Sequence, residues 1–353
     1  MTDQTFNLPQ DATTTEDVQR LRISKWALRI GTGIVALLLG LLLTNLDDPR
    51  AAFANFTTRF LGIFIEAVPF LLLGTLVSGL IEIFVSRDTL LRLIPSNRYA
   101  ATVGGTFLGM IFPVCECGVV PVARRLFVKG LPVSVGIAFL LAAPFMNPIV
   151  FASTFIAFGF GEIFIGRFII TAVVAITIGV LFAIFAKPHN TLQHEVVCSI
   201  KEHKDAESGH SHKPPKLIPG SLHAIRHASD ELFDMGRFLV IGSMMAAGMQ
   251  TLVPQEILLS LGEGPVLSVF FMQVLAFVLS VCSTVDSFLA LAFVNTFTTG
   301  SILAFLSFGP MVDVKSTMMF LGVFKRHIVV LLVLLPFLLN FLIGVGINLW
   351  LVG

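Results

Sequence analysis

Charge is scarce in this sequence. Of 353 residues only 13% are Asp, Glu, Lys or Arg, against 55% hydrophobic, which excludes an ordinary water-soluble domain and fits a chain dissolved in a bilayer. Cysteine is scarce as well. Four residues cannot staple a disulfide scaffold, and Cys115 with Cys117 would close a ring too tight for an unstrained bridge, so reduced thiols are expected. The chain has no G-x-x-x-x-G-K-[ST] loop, which excludes an ATP-hydrolysing module within it, and no H-E-x-x-H pair, which excludes that zinc-protease chemistry. A short apolar h-region at the start is also lacking, so no cleaved signal peptide is expected despite Ala52-Phe53-Ala54. The net charge of +1 gives no reason to expect nucleic acid as a partner.

What the chain has is apolar runs. Those at 26–44, 61–85, 132–158, 163–186, 236–253, 301–324 and 328–351 approach or exceed the roughly 20 residues that cross a hydrocarbon core about 30 Å thick. Only helices satisfy their own backbone there, so the expected fold is all-α and polytopic, with about seven to nine membrane helices. The partner this predicts is the lipid bilayer.

An internal repeat organises these runs. Shifted by about 167 residues, "PFLLLGTLVSGLIE" (69–82) falls on "RFLVIGSMMAAGMQ" (237–250), Cys115 on Cys282, and "AFLLAAPFMN" (138–147) on "AFLSFGPMVD" (304–313). Basic residues flank the first cysteine segment on both sides, Arg87, Arg92 and Arg98 before it and Arg124, Arg125 and Lys129 after it. The matching connections of the second copy, 254–265 and 294–300, have none. Basic loops stay in the cytoplasm, so the copies are expected to be inverted, each with a broken or re-entrant segment, 99–123 in the first and 266–290 in the second. The competing arrangement lets 99–117 span fully. The N-terminus is placed in the cytoplasm, and Arg50, Arg59 and Arg167 on the opposite side. The expected divisions are 1–55 for the N-terminus and first helix, 56–186 and 235–353 for the repeats, and 187–234 for a His-rich cytoplasmic linker.

Helix breakers and chemistry coincide. Pro113, Gly118 and Pro121 surround Cys115, Glu116 and Cys117, and Pro144, Pro148 and Pro310 mark two further breaks. A broken helix at membrane depth is tolerated only where it is buried or faces water, so these are site candidates. Thiols select soft ions and thiophilic metalloids; the plainer reading of Cys115 and Cys117 is that of small buried hydrophobes. Glu116, Asp286, Asp313 and Lys315 are ionisable groups in apolar surroundings, which mark pathways unless they merely pair, as Asp313 and Lys315 could. Asn147, aligned with Asp313, and Cys282, Ser283, Thr284 and Asp286 complete the candidate cargo site. Glu66 and Glu82 are read as interfacial, near the ends of their helix. His210 and His212 lie in a Ser, Lys and Pro-rich stretch, a weak metal site or an incidental feature of a solvated linker.

The stretch "FPVCECGVVPVARRLFVKGLPVSVGIAFLLAAPFMNPIV" (112–150) resembles the ArsP/YraQ-like predicted permease family, and the resemblance runs from about residue 55 to 350. It implies a multi-pass permease of the bacterial inner membrane. One branch of that family exports trivalent organoarsenicals and holds the arsenic by cysteines of this segment, to which Cys115 and Cys117 correspond; Asn147 and Pro148 match its second motif. The expected function is a secondary exporter of a small inorganic or organometalloid cargo, with no cofactor, and acting as a homo-oligomer or with an accessory subunit. A membrane thiol-disulfide redox protein and a membrane subunit of a zinc-handling system are the alternatives.

Overall fold

The computed structural model describes residues 49–84, 95, 97–110, 115–185, 188–194, 196–200, 217–252 and 264–352. Pro113, His210 and His212 lie outside the described residues, as does most of the His-rich stretch. Residues 54–353 form one compact unit; residues 1–53, of which only the start of the first helix is described, form another.

The described residues are helical and contain no strand, as a bilayer requires of a chain that must satisfy its backbone internally. Among the described residues, and apart from short helical pieces at 188–191 and 196–200, twelve helices fall into two sets of six. The first set is α1 (Pro49–Phe84), α2 (Arg98–Phe107, continued by a 3-10 turn to Met110), α3 (Glu116–Val128), α4 (Val133–Ala142), α5 (Pro148–Phe158) and α6 (Glu162–Phe185). The second is α7 (Leu217–Leu252), α8 (Leu267–Leu279), α9 (Asp286–Leu291), α10 (Thr299–Phe308), α11 (Val314–Phe320) and α12 (Arg326–Val352). Long helices open and close each set, and four short ones lie between. Stretches of α1, α6, α7 and α12 are long and apolar enough to cross a membrane, and they expose Ile65, Ile169, Leu342 and similar side chains outward, as lipid-facing surfaces do.

The apolar runs 132–158 and 301–324 are each cut in two, at 143–147 and 309–313, where breaks were expected, because Pro144, Pro148 and Pro310 remove backbone donors there. Two features differ from the sequence reading. Glu66 sits in the middle of α1, whereas an end was expected, because the helix starts twelve residues before the apolar run does. And α7 begins at Leu217, so the second half of the supposed linker is continuous helix.

Pairings recur between the sets. In the first, Gly105 packs against Val135 and Gly109 against Ala143; in the second, Ser268 bonds Ser301 at 2.7 Å and Gly309 packs against Ala276. Residue numbers rise together in each pair, so α2 runs parallel to α4 and α8 parallel to α10. The chain must therefore reverse between them, through α3 and α9. Since α3 has 13 residues, or about 20 Å, it falls short of a full crossing. Between the sets, α1 and α7 run antiparallel: Arg59 Nη1 donates to Gln250 O at 2.7 Å, Ile63 packs with Ala246 and Ala247, and Ser78 donates to Glu231. Equivalent helices that face opposite ways are what an inverted duplication requires.

Candidate functional site

Cys115 is the N-cap residue of α3 with extended backbone (φ −82°, ψ 178°), and Glu116 and Cys117 form the helix's first turn. The cap turns the Cys115 side chain out of helical register, and the Cys117 thiol comes within hydrogen-bonding reach of it. Gly118 belongs to the same turn and breaks nothing; it admits α1 so closely that a Cβ at Gly74 would strike the Gly118 backbone and a Cβ at Gly118 the Phe70 carbonyl. Pro121 also lies inside α3 without ending it. Its missing N–H instead leaves the Cys117 carbonyl, four residues back, without its helical donor.

Across from this turn stands the break at 309–313. Asp313 caps α11 with a reciprocal capping box, its side chain accepting from Ser316 N at 2.6 Å while Ser316 Oγ accepts from Asp313 N at 2.9 Å. The cap places Lys315 in the first turn of α11, where Gly242 of α7 packs onto it; a Cβ at Gly242 would come within 2.7 Å of the Lys315 Cα. The Lys315 ammonium lies 3.1 Å from Glu116 Oε1, 3.5 Å from Asp313 Oδ2 and 2.8 Å from the Ser280 carbonyl. Ser280 ends α8 in the left-handed region (φ 48°), the one non-glycine residue to do so among the described residues. A side chain there costs about 1–2 kcal/mol, and the conformation aims its carbonyl at Lys315 while its hydroxyl accepts from Val314 N at 3.3 Å.

Cys282 completes the cluster. Its Sγ is 3.9 Å from Glu116 Oε2 and accepts from Thr284 Oγ1 at 3.6 Å, and Lys315 and Cys115 lie close enough to act on it electrostatically. Cys115, Cys117 and Cys282 are free, buried thiols. Thus Cys115, Glu116, Cys117, Cys282, Thr284, Asp313 and Lys315 converge, from both sets of helices. The centre thus sets one amine against two carboxyl groups and three thiols in an apolar interior. Among the described residues, no three of His, Cys, Asp or Glu converge into a ready metal-holding set.

Three residues grouped with that site at the sequence level, Asp286, Ser283 and Asn147, serve elsewhere. Asp286 turns away to Arg167, with Nη2 2.8 Å from Oδ2, and Ser283 contributes its carbonyl to the same guanidinium at 3.2 Å. Arg167, expected outside the membrane, is fully buried in α6. Its Nη1 also donates to Ser287 Oγ at 2.6 Å and Thr154 Oγ1 at 3.0 Å, and Phe145 covers it at 5.5 Å. A charge inside the apolar run 163–186 was itself the available signal. Asn147 caps α5, accepting from Ile149 N at 3.0 Å, with Pro148 at the first helical position and Pro144 in the preceding turn. It is the structural counterpart of Asp313. Glu231, which sequence reasoning missed, is 4% exposed and receives Ser78 Oγ, with Arg125 at 3.7 Å.

These observations define a polytopic helical membrane protein with a buried thiol and carboxylate centre between two broken helices. Residues 52–349 match the family model ArsP_1, described as predicted permease, and the chain belongs to that family of membrane permeases. It is 42% identical over 287 residues to the UPF0718 protein YcgR of Bacillus subtilis, covering 80% of this chain and 94% of that one. A Streptococcus mutans protein named as a two-component membrane permease complex subunit is 41% identical over 271 residues, 76% of this chain and 87% of that one. The UPF0718 protein YraQ of Escherichia coli is 30% identical over 93 residues, about a quarter of each. No solved structure matches.

Proposed function

We propose that this permease is a secondary exporter of the inner membrane in which Cys115 and Cys117, with Cys282 opposite, hold a thiophilic cargo between inverted halves. The observation that carries the reading is the meeting of Glu116, which stands between Cys115 and Cys117 at the start of α3, with Cys282 and Lys315 of the other set of helices, beside the break that Asp313 caps. A cargo held there is gripped by both halves at once, so rocking one against the other exposes it to alternate sides. Thiolate bonds suit the task because they are selective yet exchange readily. The absence of a three-ligand metal set among the described residues favours a cargo needing two thiols, such as a monosubstituted trivalent arsenical, over a divalent ion. The His-rich stretch plays no part in this reading.

Whole-cell tolerance tests it. Cells carrying Cys115→Ser or Cys117→Ser are expected to lose resistance to methylarsenite relative to the unaltered protein at equal expression. Unchanged tolerance to methylarsenite, zinc and copper alike would remove the thiol role. The name of the Streptococcus mutans relative favours a second subunit in addition, which co-purification of the native complex would reveal.

A further inference from the structure

A second polar cluster lies away from the thiols, among α8, α10 and α12. Gln273, Ser307 and Asn340 are 0%, 0% and 1% exposed, and Gln273 Oε1, Ser307 Oγ and Asn340 Oδ1 all lack a hydrogen-bond partner. Register brings them to one level. Val269 of α8 packs against Gly344 of α12, so one turn further along α8, and one turn back along antiparallel α12, Gln273 meets Asn340. Gly300 and Ala304 of α10 also pack at Gly344, and the Phe308 ring lies 5.5 Å from that of Phe337. Ser307, two turns beyond Gly300 on the same face, therefore comes to the height of Asn340.

The amide orientations are fixed by what the nitrogens do. Gln273 Nε2 donates to Phe337 O at 3.3 Å, and Asn340 Nδ2 to Pro336 O at 2.9 Å and Met311 Sδ at 3.8 Å. Flipping either amide would set oxygen against a carbonyl or thioether, so both amide oxygens must be the free ends. The cluster thus offers three oxygens and a single hydroxyl proton, in surroundings where an unsatisfied polar group costs several kcal/mol.

We propose that Gln273, Ser307 and Asn340 bind a sodium-sized monovalent cation. The ligands are hard oxygens, which excludes soft metals, and none is charged, which leaves the charge of a divalent ion uncompensated. The first set of helices has Thr106, Leu141 and Val174 at the aligned positions, so the site belongs to the second half alone. It is tied to the thiol centre at two points. α8 carries Gln273 and ends at Ser280, which holds Lys315, and Met311 lies two residues before Asp313. An ion there can therefore bias the geometry of the centre, although its binding does not depend on the thiol cargo.

The test uses the purified full chain in detergent. Melting is followed as sodium chloride replaces choline chloride at constant ionic strength, and saturable binding of radiolabelled sodium is measured in parallel. The unaltered protein is expected to show a saturable, sodium-specific rise in Tm and saturable binding, both lost in Gln273→Leu combined with Asn340→Leu and both retained in Cys115→Ser. Identical melting in the two salts, together with no saturable binding by the unaltered protein, overturns the site and leaves the oxygens to water. Should the double variant fail to fold, the binding measurement on the unaltered protein decides alone.

Discussion

Two buried ionic clusters join the two sets of helices, and they are satisfied to different degrees. Around Arg167, four hydrogen bonds from the two terminal nitrogens are met by Asp286, Ser287, Thr154 and the Ser283 carbonyl, only Nε lacks a partner, and one guanidinium faces one carboxylate. Around Lys315, one ammonium faces two carboxylates, Asp313 Oδ2 and Glu116 Oε1 form no well-aligned hydrogen bond, and thiols line the remainder. A nearly closed cluster with one cation and one carboxylate is suited to fasten. One with unmet carboxylate oxygens and thiols beside them is suited to the binding role proposed above, and the difference rests on counting partners rather than on how deeply either is buried.

That contrast is broken most severely at the fastener. Arg167→Met leaves the Asp286 carboxylate buried without its counter-ion, and removing one member of a buried pair costs about 3–5 kcal/mol. A large fall in Tm is expected in detergent, and adding Asp286→Leu should recover much of it, because an apolar pair of similar volume is close to neutral. If the double variant melts as low as the single one, the cluster does more than fasten.

How much of this was legible follows the range of the interaction. The breaks at 143–147 and 309–313 could be read from Pro144, Pro148 and Pro310, because a missing backbone donor acts locally. That the Cys115 turn and Cys282 approach each other, through Glu116, could be read from the repeat, because duplication carries long-range information in a single chain. Arg167 with Asp286 could not, since their 119-residue separation leaves no local trace and a rule about basic loops drew Arg167 out of the membrane. Glu231 was hidden for another reason: Pro214, Pro215, Pro219 and Gly220 read as loop, so the polar stretch around and beyond them was taken as linker although α7 begins at Leu217. Pro121 misled in the opposite direction, because a proline in a helix packed on all sides can kink it without ending it.

The two N-caps sharpen the comparison at smaller cost. Asn147 and Asp313 occupy aligned positions and both cap the helix that follows. Asn147→Ala is expected to cost about 1 kcal/mol, the usual value of a side-chain cap. Asp313→Ala loses the cap, the capping box and a carboxylate beside Lys315, for about 2–3 kcal/mol when a hydrogen bond to a charged group is included. Asp313→Asn separates the contributions by keeping the cap and deleting the charge. Thermal melting of the three variants side by side checks the order, and equal losses for the two alanine variants would mean that Lys315 gains nothing from Asp313.

At the other extreme stand pairs that exposure makes nearly irrelevant. Arg237 and Asp234 lie 3.6 Å apart with side chains 60% and 45% exposed, whereas Arg125 and Glu231, at nearly the same separation of 3.7 Å, are 14% and 4% exposed. Distance alone would rank them together, but water screens the first pair and is largely excluded from the second. Arg237→Ala is therefore expected to change stability by about 0.5 kcal/mol or less, including its stacking on Phe238, and to lose even that in high salt. Glu231→Ala is expected to cost about 1–3 kcal/mol with little dependence on salt, because it removes the carboxylate that accepts from Ser78 and faces Arg125 in a buried setting. Melting both variants at low and high ionic strength makes the test, and a salt-sensitive loss at Glu231 would show that water reaches that carboxylate and that the join between α1, α3 and α7 is open at that end.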